Sequence, residues 1–371
     1  MDSKFKRNGQ SMIQHLNQET MTPKMRDDCL KCSLFVIALL FFQPVFSQYN
    51  FSSLDSKLEE KKQLLGKDFV LLLWKKDDTL IYKKEVGEYK SKTVAPIASC
   101  SKWLTAALVM QFVDDGKISL DDPVVKYLPE FEKYFKKYIT IRLCLSHETG
   151  IESEPIRILK LFERKKFNSL EEEVNSFAAK EIQANPGKEF RYSNIGLNIA
   201  ARVLEVVSKR KFDQLIRQKL FGPMGMRNTT FTNLDGSPPN PSGGAKSTAD
   251  DYMKFLVMMM NKGTYHGKQI LSEESVNEMM KAQTIPEMIK YAPKAAEGFN
   301  YALGSWVIEE NEDGVAKTLA SPGLFGTWPM VDYCNGYAYI LFVKNLLGEE
   351  RADAHLEIKK VIDEQMKSEC K

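Results

Sequence analysis

The chain has 371 residues, of which 43% are hydrophobic, and 52 basic against 49 acidic residues leave a net charge of +3. This composition suits a globular protein with a large core, and the balanced charge argues against nucleic acid as a partner. Four histidines and six cysteines without metal-ligand spacing predict that the protein uses no metal and no cofactor.

Residues 1–48 have the pattern of a secretory leader. Lys24, Arg26 and Lys31 precede an apolar run over residues 34–42, and the small residue Ser47 follows. A basic flank, a short apolar core and a small residue after it predict a signal peptide that is cleaved near Ser47. The run is short for a membrane span, so an uncleaved anchor is the alternative. We expect a secreted, periplasmic protein in the neighbourhood of a membrane or cell wall.

Residues 49–371 are predicted to form one domain. The apolar pattern predicts strands at 69–74 and 80–82, helices at 103–113, 141–146, 170–179, 195–207, 212–220 and 249–261, strands near 301–308, 325–331 and 336–343, and a last helix over 351–366. We expect an α+β or α/β sandwich whose antiparallel sheet comes from both ends, 66–98 and 300–371. Helices flank this sheet, and a mostly helical lobe, 99–299, is inserted beside it. The cleft between the two is the expected site.

Ser99 and Lys102 stand at the start of the first long apolar helix. Residues three apart lie one helical turn apart on the same face, so the Lys102 amine can reach the Ser99 hydroxyl. A lysine desolvated in an apolar helix can act as the base that makes a serine nucleophilic. The same spacing occurs at 3–6, 208–211 and 368–371, but only at Ser99 does it coincide with an apolar helix start.

Tyr192 and Asn194 lie just before another predicted helix. A phenol close to a lysine can have a depressed pKa and accept the proton of a nucleophile, although a packed tyrosine with a wet hydroxyl has the same sequence signature. An asparagine side chain beside it can hold a substrate amide and the lysine.

Taken together, these motifs resemble the serine β-lactamase and penicillin-binding-protein-like hydrolases, particularly the class C and esterase branch. The similar stretches, in a consistent order from about residue 65 to 365, are APIASCSKWLTAALVMQFVDDGKISLDDPVVKYLPEF, ITIRLCLSHETGI, PGKEFRYSNIGLNIAARVLEVVS, FGPMGMRNTTF and GGAKSTADDYMKFLVMMMNKGTYHGKQILSEESVNEMM. The resemblance implies that Ser99 is an acyl-forming nucleophile with Lys102 as its partner. It implies that Tyr192 is the general base and then the acid toward the leaving group, and that Asn194 orients substrate and lysine.

Two further residues of these stretches have less direct roles. His147 matches a family position, but it follows a helix end, where we expect it to cap structure rather than to do chemistry. Cys100 is next to the nucleophile, yet it points elsewhere on the helix and is expected to be a buried small hydrophobe, as is Cys144. The spacing of the remaining cysteines does not tell which of them pair.

The third motif of the family, after the Ser99–Lys102 and Tyr192–Asn194 motifs, corresponds to residues 321–327 and departs from the family pattern. Relatives place a lysine or histidine ahead of a glycine on the strand that lines the cleft, whereas this chain has Ser321 ahead of Gly323. Lys317 precedes the matched position by four residues and no glycine follows Lys317-Thr318. The N–H of Leu324 can still complete an oxyanion hole with the N–H of Ser99, and Ser321 can still donate a hydrogen bond. Recognition of an anionic substrate group is therefore expected to be weak.

We interpret the chain as a secreted serine hydrolase that forms an acyl-enzyme without a cofactor. Its substrate is a small molecule or peptide with an ester or amide bond: a β-lactam, a D-alanyl peptide or, slightly favoured by the missing cation, a carboxylic ester. The alternative is a penicillin-binding-like receptor or scaffold that acylates without turnover or has lost catalysis. The intact Ser99, Lys102, Tyr192 and Asn194 oppose that alternative, and the altered third motif favours it.

Overall fold

The computed structural model describes residues 49–154, 167–343 and 352–370, so the predicted leader lies outside the described residues. The helices are α1 Ser52–Leu65, α2 Ser101–Asp114, α3 Glu130–Lys133, α4 Ile141–Leu145, α5 Leu170–Ala178, α6 Ile195–Ser208, α7 Phe212–Ile216, α8 Gly222–Met224, α9 Ala249–Met260, α10 Glu273–Met279 and α11 Ala352–Asp363. The strands are β1 Phe69–Lys75, β2 Leu80–Val86, β3 Ala95–Pro96, β4 Phe190–Arg191, β5 Lys246–Ser247, β6 Thr264–Tyr265, β7 Lys268–Gln269, β8 Ile289–Tyr291, β9 Asn300–Tyr301, β10 Trp306–Glu310, β11 Ala316–Ala320, β12 Trp328–Asp332 and β13 Tyr337–Val343.

Seven of these strands form one antiparallel sheet in the order β2-β1-β13-β12-β11-β10-β9. The two ends of the domain meet inside this sheet as its second and third strands, where Phe69 of β1 lies opposite Val343 of β13. Between β2 and β9 the chain forms the helices α2 to α10. The predicted architecture, an antiparallel sheet from both ends with an inserted helical lobe, is confirmed.

Both faces of the sheet are buried. Side chains alternate along each strand, so each strand contributes residues to two cores. Val70 and Leu72 face the main core, which contains α2, α6 and α9. Leu71 and Leu73 face a second core formed with α1 and α11. This two-sided burial explains why β1 and β13 have continuous apolar sequences instead of an alternating pattern.

The structure differs from the predicted elements at four places in particular. Helix α1 was not predicted, because its many lysines and glutamates mask the three buried leucines of its inner face. Strand β11 was not predicted either, since its five residues include Lys317 and Thr318. The strand predicted at 301–308 is a tight hairpin of β9 and β10 with Gly304 at φ +82° in its turn, and β12 begins only at Trp328.

Helix α2 is buried around almost its whole circumference, from Ser101 to Phe112. Such a helix belongs in the centre of a domain, so the residues at its start are held by packing on all sides.

The four cysteines of the described residues have two different states. Cys334, at the β12–β13 turn, forms a disulfide with Cys370 in the segment after α11. Cys100 and Cys144 are free and buried, as predicted. Among the helices of the described residues, none is long and apolar enough to span a membrane.

Candidate active site

The nucleophile candidate Ser99 sits in a 3-10 turn, Ala98–Cys100, that leads directly into α2. Ala98 has φ +45°, a left-handed conformation that non-glycine residues adopt only where the surrounding structure enforces it. Ser99 is partly exposed, whereas Ala98 and Cys100 are buried. As the second residue of a helical turn, Ser99 has a backbone N–H without an intrahelical acceptor. The turn therefore presents a hydroxyl and an N–H together.

The Lys102 amine lies one helical turn from that hydroxyl and is completely buried. Its Nζ is 3.2 Å from Ser99 Oγ, 3.1 Å from Asn194 Oδ1 and 2.8 Å from the carbonyl oxygen of Ser242. Burial lowers the pKa of Lys102 to about 7, because the charged form loses its hydration. The amine is therefore substantially neutral at neutral pH.

These three partners determine which way the neutral amine points. A neutral amine has two hydrogens and one lone pair. The amide oxygen of Asn194 and the carbonyl oxygen of Ser242 have no proton to give, so both hydrogens of the amine are donated to them. The lone pair then faces the Ser99 hydroxyl, which does have a proton. The geometry suits Lys102 as the base that deprotonates Ser99.

Tyr192 and Asn194 follow the short strand β4 and precede α6, with Asn194 at the N-cap position. Helix α6 approaches α4 so closely that a Cβ on Gly196 would lie 2.0 Å from the carbonyl oxygen of Cys144. Only glycine permits this contact, which fixes the start of α6 against α4. The Lys102 Nζ lies 4.7 Å from the centre of the Tyr192 ring.

The pKa of Tyr192 is raised, whereas the sequence allowed a depressed value or a packed tyrosine. Tyr192 is buried, and desolvation raises its pKa well above the ordinary value. Hydrogen bonding with the Ser99 hydroxyl and the Trp306 indole acts in the opposite direction, but its effect is smaller. Tyr192 is therefore a phenol that keeps its proton, which makes it a donor more readily than a base.

The third motif packs directly against the nucleophile turn. Ser321 is buried at the end of β11, and its Oγ donates to the carbonyl oxygen of Ser99 at 3.4 Å. A Cβ on Gly323 would lie 2.4 Å from the Ile97 carbonyl oxygen, so glycine is required for this close approach. The Gly323 N–H donates to the Thr327 carbonyl oxygen at 2.8 Å.

The neighbouring groups add to this arrangement. Among the described residues, none accepts a backbone hydrogen bond from the N–H of Leu324, which leaves that N–H available to a ligand. On β11, Thr318 points its hydroxyl at Glu309 at 2.8 Å, away from this turn. Ser321 therefore keeps the position where relatives have a cation, but it brings no charge.

Sequence reasoning missed two participants and only part of the role of a third, His147. The carbonyl of Ser242 and the indole of Trp306 left no signal, because a main-chain acceptor does not depend on residue type and the indole comes from a distant strand. His147 caps α4 as expected: it is left-handed just past the helix end, and the N–H of Glu148 donates to the Leu143 carbonyl oxygen at 2.9 Å. Its imidazole contacts Tyr301 and the backbone of Ser193.

Two further observations concern the Cys100 thiol and the question of a metal site. The Cys100 thiol is buried, burial raises its pKa, and its Sγ lies 3.6 Å from the Thr327 carbonyl oxygen. A thiolate nucleophile at this position is therefore disfavoured. In residues 49–154, 167–343 and 352–370, no three His, Cys, Asp or Glu side chains are grouped to hold a metal ion.

Comparisons with known proteins identify the family of the chain. The family model described as Beta-lactamase matches residues 70–362. Protein Rv1367c of Mycobacterium tuberculosis (strain ATCC 25618 / H37Rv) is 25% identical over 332 residues, which covers 71% of this chain and 82% of that protein. The D-alanyl-D-alanine-carboxypeptidase/endopeptidase AmpH of Escherichia coli (strain K12) is 22% identical, with 69% of this chain and 72% of AmpH covered.

The solved structure of EstCE1, a hydrolase with promiscuous acyltransferase activity, shares the fold. It superimposes with a TM-score of 0.70 at 20% identity and covers 84% of this chain and 98% of its own. Because the family model covers most of the chain, and the fold and order of elements agree, the chain belongs to the beta-lactamase and penicillin-binding-protein-like family of serine hydrolases.

Proposed function

We propose that the protein is a serine hydrolase that transfers an acyl group from an ester or amide to Ser99 and then to water. The observation that carries this proposal is the Lys102 amine. It has a pKa of about 7, lies 3.2 Å from Ser99 Oγ, and has two other partners that only accept protons. A buried lysine of this kind has a structural cost that a purely structural role does not explain.

The chemistry follows from these positions. The Ser99 oxygen attacks the substrate carbonyl carbon while its proton moves to the Lys102 nitrogen. The N–H groups of Ser99 and Leu324 stabilise the oxyanion. When the tetrahedral intermediate collapses, the bond to the leaving group breaks and Tyr192 donates its phenol proton to that group. Lys102 then returns a proton to Tyr192. Water repeats the sequence on the acyl-enzyme and releases the acid.

The altered third motif supports an uncharged substrate. A charged hydrogen bond to a carboxylate contributes roughly 1.5–3 kcal/mol, or about tenfold to a hundredfold in affinity, and Ser321 lacks that charge. We propose a carboxylic ester or an uncharged amide ahead of an anionic β-lactam or D-alanyl peptide. The name of AmpH points to D-alanyl peptides and that of EstCE1 to acyl transfer, so both classes belong in the assay.

We also propose that the protein is secreted. The basic and apolar pattern of residues 1–48 supports this, and so does the Cys334–Cys370 disulfide, because disulfides persist mainly in oxidising compartments. N-terminal sequencing of the protein recovered from periplasmic and membrane fractions tests the proposal. A start close to residue 48 in the soluble periplasmic fraction is expected, and an intact leader in the membrane fraction would contradict cleavage.

The activity is tested with two measurements on the purified protein. A fluorophosphonate probe followed by peptide mapping should place the adduct on Ser99 and leave Ser99→Ala unlabelled. Turnover is then followed with p-nitrophenyl esters, a chromogenic cephalosporin and D-alanyl-D-alanine peptides. An adduct on Ser101 or Cys100 would refute the nucleophile assignment. Labelling of Ser99 without steady turnover of any substrate would favour the receptor alternative.

Ser321→Lys tests the substrate class. The added ammonium should improve kcat/KM for a substrate acid about tenfold or more and leave its methyl ester unchanged, since only the acid gains a charged hydrogen bond. Thr318→Lys, on the same strand but directed at Glu309, is the matched control and should leave the ratio unchanged. A wild-type preference for the acid above about tenfold would show that another cation serves the site.

A further inference from the structure

His147 accepts hydrogen bonds from the backbone on both sides of Tyr192. Its carbonyl oxygen accepts the N–H of Arg191 at 3.1 Å, and its Nδ1 accepts the N–H of Ser193 at 3.5 Å. The residues before and after Tyr192 are therefore both bound to one histidine. The imidazole also packs on the Tyr192 ring itself, with 4.6 Å between the ring centres.

The same contacts determine the state of the imidazole. Because Nδ1 accepts an N–H, the proton of the neutral ring is on Nε2, and Nε2 donates to the Tyr301 hydroxyl at 3.2 Å. The ring is buried, and burial together with the nearby Lys102 amine lowers the pKa of His147 well below its ordinary value. The ionisable groups that face it are Lys102, Tyr192 and Tyr301.

The backbone of His147 ends α4, with the N–H of the following Glu148 donating to the Leu143 carbonyl oxygen at 2.9 Å. Its φ of +61° is left-handed, a region that histidine enters less readily than glycine. A glycine would relieve the backbone but would remove all side-chain contacts described above. The chain therefore has histidine instead of glycine at this cap position, where the side chain contacts the Tyr192 segment twice.

We propose that His147 is a positioning residue that holds the Tyr192 phenol over Ser99 and Lys102, with Tyr301 locking its tautomer. The inference rests on the proposed function, because Tyr192 matters only if Ser99 is activated. His147 does not touch the reacting atoms. It acts through the ring and the backbone of the segment that contains Tyr192, and through the packing that keeps water away from Lys102.

The test uses His147→Asn and a matched variant elsewhere. Asparagine tolerates the left-handed backbone, and its side-chain oxygen is a hydrogen-bond acceptor on a shorter side chain. It lacks the aromatic ring and the Nε2 donor of histidine. His355 is the control, because it is also buried, its Nδ1 is 2.9 Å from the hydroxyl of Tyr339, and it stacks on Trp328 on the other face of the sheet. His355→Asn should destabilise the fold without affecting the site.

The readout is the rate constant for labelling of Ser99 by the fluorophosphonate as a function of pH, beside the melting temperature of each variant. In His147→Asn we expect labelling about 10-fold to 100-fold slower. Its half-maximal point should move upward from about pH 7, because water that enters the gap rehydrates Lys102. Tyr301→Phe should slow labelling in the same direction by a smaller factor. His355→Asn should label as the wild type does, at the same midpoint.

Two results would overturn the inference. One is a folded His147→Asn protein that labels at the wild-type rate and midpoint. The other is an equal loss of labelling in His355→Asn at an equal loss of melting temperature, which would make His147 a structural residue. Failure of the proposed function looks different, because then the wild type itself would not be labelled at Ser99.

Discussion

Replacing Lys102 by methionine should remove activity and, in addition, change how the stability of the protein depends on pH. Burial lowers the pKa of Lys102 from 10.5 to about 7 in the folded protein, whereas the unfolded chain has the ordinary value. Between these two pH values the unfolded chain binds more protons at Lys102 than the folded protein does. The free energy of unfolding of the wild type therefore rises with pH across this window.

The magnitude follows from the two pKa values. One pH unit corresponds to about 1.4 kcal/mol for a single proton, so the wild type gains up to about 1.4 kcal/mol per pH unit within the window. Over the whole window the gain is about 5 kcal/mol. Methionine has a similar length and no proton to bind, so Lys102→Met lacks this dependence. The loss of a donor to Asn194 and Ser242 adds a constant offset, and the slope is unaffected by it.

Urea unfolding at several pH values between about 7.5 and 9.5 measures the difference between wild type and variant. It should grow in favour of the wild type by about 2–3 kcal/mol over this range. Lys133→Met is the control, because Lys133 is exposed and its hydrogen bond with Glu130 raises its pKa, so this lysine stays charged over the whole range. Its difference from wild type should stay flat. A flat difference for Lys102→Met would mean that Lys102 is charged in the folded protein and is not the base.

Three further predictions concern the pH dependence of activity, the Gly323 contact and the Cys334–Cys370 disulfide. The kcat/KM for an ester should rise about tenfold per pH unit below about pH 7 and level off above it, since only neutral Lys102 accepts the Ser99 proton; a midpoint near 10 would contradict this. Gly323→Ala should lower both kcat and melting temperature, costing about 1–3 kcal/mol, because the new methyl meets the Ile97 carbonyl; unchanged kinetics would disprove that contact. Cys334→Ser should lower the free energy of unfolding by about 2–4 kcal/mol in urea titrations and leave kcat unchanged, and lost activity would show that the disulfide supports the site.

Most of the architecture could be predicted because it is written in local periodicity. The apolar runs of β1, β13 and α2 identify buried elements, and the change of period beyond residue 300 separates strands from helices. Elements whose stability comes from neighbours escaped prediction. Helix α1 is mostly polar and packs against α11, while β11 is short and is paired with β10 and β12 on either side.

The Ser99–Lys102 pair could be inferred from the sequence alone, because both residues belong to adjoining turns of one helical segment and their spacing fixes their distance. The Tyr192–Asn194 segment could be linked to them only through a family resemblance, since no local rule joins residues about 90 positions apart. The state of each group depends on the tertiary structure. Burial, which sequence spacing does not measure, makes Lys102 neutral and keeps the proton on Tyr192. Only the packed fold decides the contacts between distant segments. These are the hydrogen bond of Lys102 to the Ser242 carbonyl, the contact of His147 with Ser193, and the disulfide between Cys334 and Cys370.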